Sequence, residues 1–384
     1  MDGTLSDEQR MLREMVERLA AERHGLDVRR TAILHEQGFH RPFWEELGHL
    51  GILGATLPEG CGGSGADHVA AMLIMSAFGK NLIIAPYVST VICAATLLAR
   101  VGTADQQQRY IPAVIDGSSV IAFACDVANG ALHFNALQAS ARPTEGGFEI
   151  EAQETAVVGG IWSDHIIVIA KMEAEGGAIG AFILPVDAPG LGIRHARTID
   201  GGSASTIHLH KAFVSESARI GGRHDLREAV ERICDEATAM LCAEAAGSMD
   251  ALLRSTVEYA RIRKQFGKTI GSFQALQHRM VDMLLACEQA SSITQRAVST
   301  LDGDPAERQS AVSAAKALVG KAGRMVAQAA VQIHGGIGIT DELDVSHHFR
   351  RIEMFNLQYG TIDQHLQRYA QLLDAQGRSS SYGR

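Results

Sequence analysis

The stretch Tyr259-Ala-Arg-Ile-Arg-Lys-Gln-Phe-Gly-Lys-Thr-Ile-Gly-Ser-Phe-Gln-Ala-Leu-Gln277 closes one long helical pattern and opens another. Upstream, Val230, Ile233, Ala237, Met240, Leu241, Ala245, Leu252 and Val257 recur at helical spacing. Gly267 and Gly271 interrupt that pattern as turn residues do, and Leu276, Met280, Met283, Leu284 and Cys287 resume it. Arg261, Arg263 and Lys264 therefore fall near a helix C-terminus, where cations favour the helix dipole. Two readings are open for them. One is a capped, solvated helix end. The other is an anion site in which Arg263 grips a phosphate and Phe266 lies against an aromatic ring.

Those residues, at that spacing, resemble the flavin-contacting segment of the acyl-CoA dehydrogenase family. Gln332-Ile-His-Gly-Gly-Ile-Gly338 resembles the same family's second flavin segment. In that family the two segments reach the adenosine and pyrophosphate end of the FAD held by a neighbouring subunit. The resemblance thus implies an oligomer, with FAD contacts at Arg263, Gln265, Phe266, Phe273 and Gln274. From the second segment and the C-terminal region it adds Gln332, Ile333, Gly335, Gly336 and Thr361.

Working outward, the chain has room for two or three domains, and a composition poor in aromatics suits an Ala- and Leu-rich helical protein. A net charge of −9 without any basic run argues against nucleic acid as a partner. The six cysteines form no C-x-x-C pair, and Cys234, Cys242 and Cys287 lie in apolar helical patterns as buried thiols do. Asp2, Asp7 and Glu8 stand where the basic region of a signal peptide would be, and no apolar run could span a bilayer. The expectation is a cytoplasmic protein with no membrane partner.

Ser6-Asp-Glu-Gln9 has the form of a capping box before a helix carrying Met11, Leu12, Val16 and Leu19. Further helices are expected over 43–51, 68–79, 85–102 and 106–115. Pro58-Glu-Gly-Cys-Gly-Gly-Ser-Gly65 lacks the spacing of a dinucleotide fingerprint and reads as a tight surface loop. From Ser119 the period changes. Residues 148–152 and 207–210 alternate apolar and polar, while 166–170 and 181–185 are short apolar runs. Turns are expected at Gly146-Gly147, Gly176-Gly177 and Gly201-Gly202. His208 and His210 face one side of a strand, with no third metal ligand placed by sequence.

Helical patterns return over 229–259, 274–301, 305–334 and 363–373, with Pro305 at a first helical position. The order helices, strands, helices predicts an α+β chain. Its expected divisions are a helical segment 1–118, a β-domain 119–222, a second helical region 223–376 and a Ser/Gly-rich mobile tail 377–384. The resemblance extends over nearly the whole length and implies that the C-terminal region is a four-helix bundle.

The family oxidises an acyl-CoA thioester to the 2,3-enoyl-CoA. A carboxylate removes the α-proton, a hydride leaves the β-carbon for the flavin, and hydrogen bonds steady the thioester oxygen. The usual base is a Glu directly before Gly-Thr. Here that segment is Phe355-Asn-Leu-Gln-Tyr-Gly-Thr361, with Tyr359 at the base position. A phenol of pKa about 10 is neutral at pH 7, and burial favours the neutral form further. Some relatives carry the base near Asp235 and Glu236. The aligned position is Ala237, and a one-residue offset turns a helical side chain by about 100°, so Glu236 is a weak candidate against an ordinary acidic residue. Near the flavin ring, Asp126 replaces a hydroxyl, and Ala156-Val-Val158 replaces a Trp-Ile-Thr or Trp-Ile-Ser run.

The motifs facing a neighbour's cofactor are thus intact, and those serving the chain's own flavin ring are degraded. Ala243-Glu-Ala-Ala-Gly247, Ile270 to His278, Ser313-Ala-Ala-Lys316 and the base-less C-terminus resemble, within the family, the small subunits of the pimeloyl-CoA dehydrogenase type. They also resemble subunits of heterotetrameric steroid-degrading members. Three functions follow as expectations. The first is the base-lacking subunit of a heterotetrameric acyl-CoA dehydrogenase, with electron-transfer flavoprotein as the implied acceptor. The second is a self-sufficient homotetramer with a relocated base. The third is a flavin-free structural homologue.

Overall fold

The computed structural model describes residues 5–35, 39–125 and 137–381. These fall into two compact units, one of residues 1–30, 68–83 and 238–384, the other of 31–67 and 84–237.

Ser6 opens α1 (Asp7–Arg23) with the reciprocal Ser6–Gln9 capping box that the sequence announces. α2 (Leu26–His35) follows, then α3 (Arg41–His49), α4 (His68–Lys80), a π-helical stretch Val88–Ala95 continuing into α5 (Thr96–Val101), and α6 (Ala104–Ile115). In the first unit α4 crosses the long α7 (Arg227–Ile262) at paired glycines. A Cβ on Gly79 would collide with the Glu244 carbonyl, and one on Gly247 with the Ser76 carbonyl. Two backbones can pack this closely only where neither carries a side chain.

The second unit is built on a sheet ordered β6-β7-β3-β2-β4-β5-β8. Its strands are β1 (Ile121–Ala124), β2 (Ser140–Thr144), β3 (Gly147–Val158), β4 (His165–Met172), β5 (Ala178–Pro185), β6 (Leu191–Arg197), β7 (Ser203–Ser215) and β8 (Arg219–Ile220). β1 and β2 lie end to end along one edge of β4, both parallel to it. β4 and β5 are buried almost throughout, because both their faces are covered. β7 alternates buried and exposed, which turns His208 and His210 outward as the alternation predicts. Gly146, Gly176 and Gly201 take positive φ at the three expected turns. Arg219 is buried in this unit, forked onto Glu175 at 2.7 Å through both nitrogens and set over the Phe148 ring.

After α7 come a two-stranded hairpin, β9 (Lys264–Gln265) and β10 (Lys268–Thr269), then α8 (Gln274–Ser299), α9 (Pro305–His334), α10 (Asp344–Phe355) and α11 (Ile362–Ser381). α9 has the expected bounds. Asp304 caps it through the Ala306 and Glu307 amides, and Pro305 sits where a missing N–H costs nothing. α11 runs beyond the expected stop at residue 373, as a helix-terminal extension through Gly377 that costs only about 1 kcal/mol in propensity. Among the described residues no helix is long and apolar enough to cross a membrane. All six cysteines are free, and five are buried.

Candidate functional site

α7 ends at Ile262, and the chain reverses at once. Gln265 pairs with Lys268 and Lys264 with Thr269, around a two-residue loop of Phe266 (φ 52°) and Gly267 (φ 78°). Both central residues are left-handed, which defines a type I′ turn. Asn or Gly would sit there cheaply, whereas a phenylalanine costs of order 1 kcal/mol. Phe266 is nevertheless 90% exposed. Its single aromatic neighbour among the described residues is Phe273, edge-on with centroids 6.2 Å apart, and the Lys268 ammonium lies 4.3 Å from the Phe273 ring centre. Phe273 is the N-cap of α8 and Gln274 its first residue. Arg263, Lys264, Gln265 and Lys268 are all exposed. Among the described residues the Arg263 guanidinium has no hydrogen-bond or ion-pair partner, so nothing structural occupies it.

The second segment sits at the end of α9. Gln332 is exposed and Ile333 buried. Gly335 has φ 68° and ψ −144°, a conformation essentially reserved for glycine. A Cβ on Gly335 or Gly336 would meet nothing within 4 Å, so the two leave bare backbone facing open space. Gly338 is different. A Cβ there would come within 2.8 Å of the His334 Cβ, so this glycine is required by packing rather than by access for a ligand. The two segments are tied together by Tyr259 of α7 and His334 of α9, whose rings stack at 4.4 Å and 24°. A free guanidinium, an exposed aromatic face and bare glycine backbone on one unit fit the nucleotide end of a dinucleotide such as FAD.

The base-position turn follows α10. Tyr359 (φ 50°) and Gly360 (φ 94°) are consecutive left-handed residues. Tyr359 is half-buried, and its carbonyl accepts 2.8 Å from His365 Nε2. Thr361 and Gln364 form a reciprocal capping box that starts α11, with the Thr361 amide donating 2.8 Å to Gln364 Oε1 and the Gln364 amide donating to Thr361 Oγ1. Beneath the turn the Lys316 ammonium of α9 donates to the Phe355 carbonyl and, at 2.7 Å, to that of Gln358. No carboxylate stands at position 359 of this turn.

Glu236 is not a solvated acid. Its carboxylate is 3% exposed and held by Arg100 at 2.8 Å and Arg232 at 3.0 Å. Two guanidinium groups occupy that carboxylate, which leaves it poorly placed to accept a proton from carbon. Ala156, in the run that replaces the family's Trp-Ile-Thr, is an exposed left-handed residue (φ 57°) at a break in the β3–β7 register. Asp126 lies outside the described residues. A cavity of about 490 Å³ among α1, α4, α7 and α8 contains none of the candidate residues, and four of the six charged residues on its wall, Glu17, Lys80, Asp250 and Arg254, are paired with one another.

Sequence reasoning does not find three contributors, Lys316 and His365, which are buried, and Arg351, which is half-buried. Lys316 reads as a surface lysine in an apolar helix, yet it is fully buried. Arg351 of α10 pairs with buried Glu244 of α7, Nε to Oε1 at 2.8 Å. His365 of α11 holds the Tyr359 carbonyl. A lone polar residue on an apolar helical face is the available cue for the first.

A largely helical chain with a mixed sheet in its middle region, an exposed basic hairpin and a glycine-lined helix end defines an α+β class. Comparison with known proteins narrows it. Residues 6–118 match the acyl-CoA dehydrogenase N-terminal domain and residues 228–373 the acyl-CoA dehydrogenase C-terminal domain. Acyl-CoA dehydrogenase FadE27 of Mycobacterium tuberculosis is 30% identical over 321 residues, covering 82% of this chain and 83% of that one. The chain belongs to the acyl-CoA dehydrogenase family. Among solved structures, the ChsE4-ChsE5 complex from Mycobacterium tuberculosis superposes with a TM-score of 0.88 at 27% identity, over 97% of this chain and 99% of that one. A single-substitution variant of the Tcur3481-Tcur3483 steroid acyl-CoA dehydrogenase gives 0.86 at 26% identity over the same shares.

Proposed function

We propose that this chain is the base-lacking subunit of a heteromeric, FAD-dependent acyl-CoA dehydrogenase, and that it completes the flavin site of a homologous partner. The single observation that carries this reading is the contrast within one unit between a free, exposed nucleotide-type surface and a base position filled by Tyr359. In this reading segments 1–118, 119–222 and 223–376 are the helical, β and helical domains of the family. The two solved relatives above are each named as a pair of chains, which supports a heteromer of related subunits.

FAD, when bound, supplies the acceptor for the hydride that leaves the β-carbon of the acyl-CoA. The residues of this chain bind and orient. The Arg263 guanidinium would hold the pyrophosphate, since a planar fork suits a phosphate's acceptors. The bare backbone at Gly335 and Gly336 admits the same group closely. Phe266 would offer its exposed ring to the adenine, an apolar contact that would offset the strained turn holding it out. Gln265, Phe273, Gln274, Gln332 and Thr361 would line the approach, whereas the Ile333 side chain is buried and could contribute only its backbone. Tyr359 does not take the α-proton, because a neutral phenol is a poor acceptor at neutral pH. That proton goes to a carboxylate of the partner subunit. Electron-transfer flavoprotein is the acceptor this family membership favours.

The chain is to be purified with and without the product of a neighbouring gene that has Glu before Gly-Thr. FAD retention and acyl-CoA turnover from the pair, but not from this chain, support the proposal. Full turnover by this chain alone excludes it. A self-sufficient homotetramer would need a relocated base. The two arginines on Glu236 disfavour that candidate, and Glu236→Gln with unchanged turnover removes it.

A further inference from the structure

One face of α9 presents Ser313, Lys316, Gly320 and Gly323, and each meets the segment that runs from the end of α10 into α11. Ser313 Oγ lies 3.4 Å from His365 Nδ1. A Cβ on Gly320 would come 2.6 Å from Asn356 Oδ1, and one on Gly323 would come 3.0 Å from Ile352. Lys316 sits between these contacts with no exposed surface. Its Nζ donates to the Phe355 and Gln358 carbonyls and stands 3.7 Å from the centre of the Phe355 ring. Those carbonyls belong to the end of α10 and the residues just after it, where helical partners run out, so a cationic donor there both satisfies them and complements the helix dipole.

A buried ammonium is an expensive way to fill a core. Burial pushes its pKa down to about 7, and a methionine of similar shape would avoid that penalty. What methionine cannot do is hold the backbone. Immediately after Gln358, Tyr359 adopts a left-handed conformation that a non-glycine residue keeps only when its surroundings over-determine it. Lys316 pins the residue before Tyr359, and His365 pins Tyr359 itself.

We infer that Lys316 is a positioning residue that fixes the turn Gln358–Thr361, and so sets the direction in which side chain 359 is presented. This inference depends on the turn alone and not on the heteromeric reading above. It is tested on the full chain by a double-mutant cycle and by amide hydrogen exchange. Lys316→Met is expected to speed exchange at Thr361 and His365 by about tenfold, as loss of a local hydrogen-bonded clamp does, while amides in the middle of α8 and α9 stay within about twofold of wild type. Glycine tolerates the left-handed conformation. The loss of thermal midpoint caused by Lys316→Met is therefore expected to be clearly smaller in a Tyr359→Gly background than in the wild type. A lysine that only fills space gives the same loss in both backgrounds. If Lys316→Met does not fold, Lys316→Gln, which keeps two N–H donors on a shorter, uncharged side chain, carries both measurements. Unchanged exchange at the turn, equal loosening throughout α9, or equal losses in the two backgrounds each overturns the inference.

Discussion

Arg263→Ala separates folding from cofactor binding, because the residue is exposed and, among the described residues, bonded to no other side chain. It lies one residue past the end of α7, so its interaction with the helix dipole is worth at most about 0.3–1 kcal/mol. The folded chain should therefore hardly notice its loss. On the proposed reading the same guanidinium meets a pyrophosphate in the assembled enzyme, and a hydrogen bond to a charged group contributes roughly 1.5–3 kcal/mol. At about 1.4 kcal/mol per decade, this corresponds to FAD held some ten- to a hundredfold more weakly. Arg263→Lys keeps the charge but loses the fork, and should fall between the two. The assay is FAD release on dilution of the purified complex, followed by flavin fluorescence, with a denaturant melt of each variant alongside. An alanine variant that melts normally and keeps FAD as tightly as wild type would refute the assignment of this hairpin to the nucleotide.

Phe266→Asn should act in opposite directions on the two properties. It relaxes the strained I′ turn and should raise the denaturant midpoint by the equivalent of about 0.5–1 kcal/mol, while weakening FAD retention in the complex. Gly336→Ala adds a methyl group where the isolated chain has room for it, so its melt should be unchanged and its FAD retention lowered. Acid should destabilise the chain through His348 and His365, whose pKa values burial pushes down to about 3. Their contribution is complete above the unfolded value of 6.5. It is lost as pH falls from there toward 3, because the unfolded chain takes up protons that the folded one refuses. The slope is about 1.4 kcal/mol per pH unit for each histidine, or roughly 4 kcal/mol for both at about pH 5. His348→Gln should remove about half of this slope between about pH 6.5 and 5, and an unaltered slope would exclude His348 as a source.

Features written in local chemistry are legible in the sequence. The Ser6 capping box, the Asp304-Pro305 start of α9 and the alternation in β7 need no distant partner. α10 escapes a periodicity reading because its buried face carries His347 and His348, with half-buried Arg351 beside them, polar groups that only tertiary partners such as Ser248 and Glu244 make tolerable. The collinear pairing of β1 and β2 along β4 joins residues far apart in sequence and leaves no local trace. The hairpin reads as a helix end followed by a turn, because Phe266 stands where Asn would have announced a I′ loop. At the candidate site, the motif glycines look equivalent in the sequence. The structure separates Gly335 and Gly336, which face open space, from Gly338, which packs against His334. Lys316 cannot be told from a solvated lysine until the carbonyls it serves are placed.

The most direct measurement is the visible spectrum and acyl-CoA turnover of this polypeptide expressed on its own, set beside the same chain expressed with a homologue that has Glu before Gly-Thr. The account predicts a nearly colourless, inactive protein in the first case and a yellow, active complex in the second. A yellow protein that oxidises acyl-CoA with no second gene product present would contradict it.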